Sequence, residues 1–271
     1  MKKDDIVAKK QFGQNFLKDE SVLYKIIQAM PNTPHKVAEI GPGLGDLTKH
    51  LVNVKSVVAF EVDRELCKLL QKEFKKEINT NTFELRCGDV LESWQSELLD
   101  EPYDLVANLP YYIATNIILK ALADTQCNNI LVMVQKEVAL KFSAVSGDKA
   151  FSALGVITQS VAKASIVVDV PPEAFDPPPK VDSSVLLIQK HTNRKSDEFE
   201  KMLKLAFTQP RKTLSKNLSS FYAKADILSA LETLNLKASI RPHETTTSDY
   251  HQLYNILTGS LDARKRENNR E

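Results

Sequence analysis

Cysteine is scarce in this sequence: of 271 residues only Cys67, Cys87 and Cys127 are cysteine, far apart and without a Cys-x-x-Cys spacing. An odd, scattered set suggests neither a disulfide framework nor a zinc site, so the three read as buried reduced thiols. No run approaches the ~18 consecutive apolar residues of a membrane span. The start, Met1-Lys2-Lys3-Asp4-Asp5, leads into Ile6-Val7-Ala8 and more lysine rather than into a signal-peptide core. A cytoplasmic location with no membrane contact is expected. The five histidines, His35, His50, His191, His243 and His251, form no cluster, and no metal is expected. Internal repeats and low-complexity stretches are absent too. With 42% hydrophobic and 26% charged residues, the chain has the balance of an ordinary globular protein.

The near-zero net charge of +1 hides an asymmetry. Residues 1–188 carry 21 Lys and Arg against 25 Asp and Glu, whereas 189–271 carry 15 against 10. A basic C-terminal module can face phosphates; the N-terminal part cannot attract them by bulk charge. Basic tails that merely solubilise are common, so the asymmetry alone supports nucleic acid weakly.

Short apolar, β-branched runs at Val37–Ile40, Ser56–Glu61, Phe83–Cys87, Asp104–Asn108, Ile130–Val134 and Ile166–Val170 read as strands. Amphipathic stretches such as Arg64–Glu77 and Asn116–Ala123 lie between them. This β-α alternation predicts an α/β fold with a doubly wound, mostly parallel sheet. Ser184–Gln189 is expected as a last, antiparallel strand after a proline-rich loop. Beyond His191 the pattern turns helical, at Phe199–Phe207, Lys212–Phe221, Asp226–Leu234 and Asp249–Leu257. Two domains are expected: 1–192, carrying the chemistry, and 193–271, a small helical module with a charged tail.

The chemistry starts at Glu39-Ile40-Gly41-Pro42-Gly43-Leu44-Gly45, between a strand and a helix. Glycines there let backbone approach a ligand and present amides at the helix start. A nicotinamide or flavin fingerprint would read Gly-x-Gly-x-x-Gly; here the third glycine comes one residue early and an acid precedes the first. The arrangement resembles the cofactor loop of class I methyltransferases, and a bare tight turn is the competing reading. About 20 residues on, Glu61 ends the second strand, where doubly wound folds place a carboxylate for ribose hydroxyls. Asp63 competes for that role, and either acid can instead cap the next helix. Gly88-Asp89-Val90 ends the third strand; in methyltransferases an acid there takes the adenine amine of the cofactor.

The sharpest signal is Asn108-Leu109-Pro110-Tyr111, ending the fourth strand. It can be an Asx-Pro turn with a buried tyrosine. The chemical reading is that an adenine amine, its lone pair delocalised into the ring, must be oriented before it can attack a methyl group. The Asn108 side-chain oxygen and the Leu109 carbonyl can accept its two hydrogens, Pro110 fixes the turn and Tyr111 can stack on the base. A base in structured RNA must be turned out to reach such a pocket, and Phe175, opening Phe175-Asp176-Pro177-Pro178-Pro179-Lys180-Val181, is a candidate second stacking ring. A rigid connecting loop is the plainer reading of that run.

These motifs, with Phe12-Gly13-Gln14-Asn15-Phe16-Leu17, Val134–Ala139 and Gln209-Pro210-Arg211-Lys212-Thr213-Leu214, run in matching order over roughly residues 9–258. The ensemble resembles the ribosomal RNA adenine N6,N6-dimethyltransferase family, in its bacterial small-subunit branch. The resemblance implies S-adenosyl-L-methionine as cofactor and dimethylation of two adjacent adenines near the 3′ end of 16S rRNA, in the small subunit or its precursor, by a monomer. It implies cofactor contacts from Gln14, Asn15 and Leu17, with Gly41, Gly43, Glu61, Asp89 and Asn108 completing the site. Arg211, Lys212 and Lys216, on one expected helix of the basic C-terminal module, are the candidate RNA contacts. The chain departs from the family pattern at Gln11, Tyr112, Ala114 and Pro210. Two other readings stand beside this one: a large-subunit methyltransferase of the macrolide-resistance type, and a factor that chiefly checks small-subunit assembly.

Overall fold

The computed structural model describes residues 8–9, 13–193 and 196–268. In chain order the first elements are β1 (Phe16–Leu17), α1 (Glu20–Ala29), β2 (Lys36–Ile40), α2 (Asp46–Leu51), β3 (Val57–Glu61), α3 (Arg64–Glu73), α4 (Lys75–Asn79), β4 (Phe83–Cys87), α5 (Val90–Ser93) and β5 (Tyr103–Asn108). They are followed by α6 (Ala114–Ala123), β6 (Cys127–Gln135), α7 (Lys136–Ser143), α8 (Ala153–Val161), β7 (Ala162–Val170), β8 (Phe175–Asp176) and β9 (Ser183–Lys190). The last helices are α9 (Asp197–Ala206), α10 (Leu214–Leu218), α11 (Lys224–Thr233) and α12 (Thr247–Asn268).

Seven strands form one sheet in the order β4-β3-β2-β5-β6-β9-β7. The first five are mutually parallel; β9 runs antiparallel to both β6 and β7. Ser184–Gln189 therefore falls in an antiparallel strand, inserted before the edge rather than at it. Central strands covered on both faces need side chains that tolerate burial in either direction, and Val57–Glu61 and Leu105–Ala107 are buried at every position. The helices turn one apolar stripe inward: α3 buries Leu66, Cys67, Leu69 and Leu70, and α6 buries Ile117, Ile118, Ala121 and Leu122. Each such leucine or isoleucine side chain contributes about 1.5–3 kcal/mol on burial. Strand order reverses between β2 and β5, which opens a crevice at their carboxyl ends.

The contacts divide the chain into two units. One runs up to Leu140 and resumes at Ala162–Asn193; the other combines Lys141–Val161 with the chain beyond Asn193. The expected split into 1–192 and 193–271 did not contain this excursion. Its physical reason is a core: Ala144, Phe151 and Val156 are buried with Phe199, Leu203 and Tyr250 in the helical unit.

Two further expectations are corrected. Cys67 and Cys87 form a disulfide, with Cα atoms 6.2 Å apart, and only Cys127 is a free, buried thiol. Parallel register sets Cys87 opposite Glu61, and α3, folding back just after Glu61, brings Cys67 over the same strand end. The helix expected over Lys212–Phe221 is the shorter α10, capped by Thr213, whose hydroxyl accepts from the Lys216 amide at 3.2 Å. Arg211 and Lys212 lie in the turn before it, so of the three cations only Lys216 is helical; all three are exposed. No described helix is long and apolar enough to cross a membrane.

Candidate active site

The crevice floor is the turn from β2 into α2. Gly43 (φ +60°) occupies left-handed backbone and donates its amide to Glu61 Oε2 at 3.2 Å, tying the turn to the end of β3. Gly45 (φ +81°) leaves no room for a side chain, because a Cβ would stand 2.7 Å from Phe74 Cε2. Glycine is required there both by conformation and by space.

The structure separates the two competing acids. Glu61, 4% exposed, lines the crevice, and its Oε1 accepts from the Asp63 amide at 2.9 Å. Burial raises its carboxyl above the usual range, against the pull of the backbone donors. Asp63 faces elsewhere. Its Oδ1 accepts from Lys9 Nζ and the Glu65 amide, both at 3.0 Å, and its Oδ2 from Gln14 Nε2 at 3.2 Å. Burial alone would raise this carboxyl, but the Lys9, Glu65 and Gln14 donors together hold it below the usual range. Asp63 thus caps α3 and clips the N-terminal segment, whereas Glu61 lines the crevice.

Asp89 follows β4, is exposed, and caps α5 through its Oδ1 and the Leu91 amide at 2.8 Å. Glu39, on β2, is 1% exposed and accepts from Thr48 Oγ1 at 2.7 Å; burial pushes its carboxyl up to about 8. It lines the crevice wall, and its only sequence signal was the acid preceding the first glycine.

At the end of β5, Asn108 Nδ2 donates to the Asn15 carbonyl at 3.1 Å. Leu109, 1% exposed, donates its amide to the Met133 carbonyl at 3.1 Å. Pro110 abuts the glycine turn, its Cδ 3.6 Å from where a Cβ on Gly41 would sit. The Tyr111 hydroxyl is 2.7 Å from Ser183 Oγ, which fixes the ring, and burial raises its phenol. The N-terminal segment closes one side through Gln14, Asn15 and Leu17. Gln14, Asn15, Leu17, Gly41, Gly43, Glu61, Asp89 and Asn108–Tyr111 all line this one crevice.

Phe175 is not brought there. It is 4% exposed, packs in the sheet core, and pairs with Leu17 across the short β1–β8 ladder. Its apolar ring finds more burial beneath the N-terminal segment than at the crevice, so the expected second stacking ring is a core residue in this structure. Tyr112, which the sequence reading did not assign to the site, does reach the crevice; it is 61% exposed. Its ring lies against Gly13, and burial and then the charges of Asp89 and Glu61 raise its phenol. Gln11 and Phe12 lie outside the described residues. Among the described residues no group of three or more His, Cys, Asp or Glu is placed to hold a metal.

A doubly wound sheet with a glycine turn after one strand, an acid ending the next and an Asn-Leu-Pro-Tyr corner across the switch point defines a class I methyltransferase fold. Residues 6–259 match the family model described as ribosomal RNA adenine dimethylase, and the chain belongs to that family. It is 66% identical over 259 residues to the ribosomal RNA small subunit methyltransferase A of Sulfurimonas denitrificans, covering 96% of this chain and 97% of that protein. Among solved structures, a dimethyladenosine transferase from Plasmodium falciparum superposes with TM-score 0.76 at 25% identity, covering 88% of this chain and 95% of the other. The 23S rRNA methyltransferase ErmE gives TM-score 0.70 at 25% identity, covering 90% and 100%.

Proposed function

We propose that this protein is a cytoplasmic, monomeric enzyme that uses S-adenosyl-L-methionine to dimethylate the N6 amines of two adjacent adenines near the 3′ end of 16S rRNA in the assembling small subunit. The observation that carries the proposal is the orientation of Asn108. Turned the other way, its amide would set Oδ1 against the Asn15 carbonyl, two acceptors at 3.1 Å. With Nδ2 held there, Oδ1 is left for the crevice.

The crevice residues fit an adenosyl ligand. Glu61 offers a buried carboxylate at a strand end, the glycine turn allows close backbone approach, and Asp89 stands at the rim. When bound, the cofactor supplies a sulfonium methyl and leaves as a neutral thioether. In the first transfer Asn108 Oδ1 and the Leu109 carbonyl accept the two N6 hydrogens, and in the second one of them accepts the single hydrogen left, so the nitrogen lone pair points along the line of transfer. Transfer to that nitrogen would leave one amine proton to be lost to water, so no side chain of the crevice need act as a base. Tyr111, fixed by Ser183, supports the base face. Arg211, Lys212 and Lys216 contact phosphates.

The small-subunit name of the relative at 66% identity favours 16S over 23S rRNA. The test is incubation of the protein with labelled S-adenosylmethionine and undermethylated small subunits, followed by mapping of the labelled nucleotide. Label on adenine N6 near the 16S 3′ end is expected, and Asn108→Ala should lower kcat by ~10²-fold. Label elsewhere, or full turnover by Asn108→Ala, refutes the assignment.

A further inference from the structure

The hydrogen bond that orients Asn108 comes from a segment fixed from a different direction. Asn15 supplies the accepting carbonyl, and its own side-chain Nδ2 donates to the Gly13 carbonyl at 3.2 Å. Gln14, between them, donates Nε2 to Asp63 and receives the Lys9 amide on Oε1 at 2.7 Å. The Lys9 ammonium binds Asp63 Oδ1 at 3.0 Å and Glu65 Oε2 at 2.6 Å. Asp63 is 3% exposed, yet it does not line the crevice, and neither does Lys9.

We propose that Asp63 and Lys9 are positioning residues for methyl transfer: their ion pair fixes Gln14 and Asn15, and the Asn15 carbonyl then sets the Asn108 amide with its oxygen toward the substrate amine. The inference rests on the catalytic reading of Asn108. Its physical basis is that a side-chain amide on one χ2 torsion has two orientations of opposite hydrogen-bond polarity. A misplacement of the order of 1 Å at a reacting pair costs up to ~10²-fold in rate. Asp63, two residues past the ligand acid Glu61, thus couples the cofactor end of the crevice to the amine end without touching either ligand.

Two variants test this. In Asp63→Asn the side chain can still cap α3, since asparagine is as good a cap, but Lys9 keeps only its Glu65 partner, so the ion pair that ties it to Asp63 is gone and an amide donor faces the Gln14 donor. Lys9→Met removes the cation and keeps the stem. Two readouts are taken on the full-length protein: kcat and KM on undermethylated small subunits, and the side-chain amide proton resonances of Asn108, assigned by their disappearance in Asn108→Ala. Each variant is expected to lower kcat by ~10-fold or more with the KM for subunits little changed, and to move the Asn108 resonances. Lys9→Arg should restore both. A normal kcat, or a lowered kcat with the Asn108 resonances unmoved, overturns the proposal. Full activity in Asn108→Ala is a separate failure, that of the catalytic reading itself.

Discussion

Glu39→Gln isolates one buried group and a clear pH signature. Glu39 is 1% exposed, and its carboxyl titrates at about 8 in the folded protein against 4.5 for an ordinary glutamate. Between those values the folded state holds a proton that the unfolded chain has released. Stability then falls with rising pH by about 1.4 kcal/mol per pH unit. The contribution is full below 4.5 and lost by the time pH has passed through 8. The substituted glutamine would keep an oxygen for the Thr48 hydroxyl and cannot ionise, so it removes this slope; apart from Glu61, whose charge acts on Glu39, the other titrating groups stay the same. From about pH 6 to about pH 8 the wild type should therefore lose about 2 kcal/mol relative to the variant, the last half-unit being flattened by partial ionisation. For a chain of this size that corresponds to a relative melting shift of about 4–8 °C. The assay is urea or thermal unfolding of the two cofactor-free proteins in parallel at a series of pH values from about 6 to about 9, read as the gap between them. A gap that is the same at every pH would refute the reasoning, because the carboxyl would then not be held neutral by its burial.

Gly45→Ala should destabilise by about 2–4 kcal/mol in urea unfolding, combining the left-handed backbone cost with a Cβ 2.7 Å from Phe74. Tyr111→Phe keeps the ring but leaves Ser183, 0% exposed, without its 2.7 Å partner; a stability loss of about 1 kcal/mol is expected, with kcat falling by less than ~10-fold, whereas Tyr111→Ala should lose far more turnover. Replacing Arg211, Lys212 and Lys216 by Gln should weaken subunit binding and lower the slope of log affinity against log salt by about one for each phosphate contact removed; an unchanged slope would make these three cations an ordinary solvated surface.

The sheet was legible because burial on both faces leaves a direct imprint: Ser56–Glu61 and Asp104–Asn108 read as largely apolar runs ended by a polar residue, and that residue is the ligand acid or the catalytic amide of the proposed mechanism. The glycine turn was legible for a similar local reason, since it needs special backbone angles. Choices between near-equivalent side chains were not legible. Glu61 and Asp63 differ by two positions, and only packing decides which faces the crevice and which turns toward Lys9. Phe175 sits in a run whose spacing fits either role, and its pairing with Leu17, far away in sequence, decides for the core. The Cys67–Cys87 bond likewise depends on sheet register, which no spacing rule contains.

The excursion of Lys141–Val161 into the helical unit bears on synthesis. As the chain emerges from the ribosome, Ala144, Phe151 and Val156 are made well before α9 to α12, the helices they are buried with. They must wait through β7 and β9, which complete the sheet, so an apolar patch persists on the nascent chain until its final stretch is released, and there a chaperone has a natural foothold.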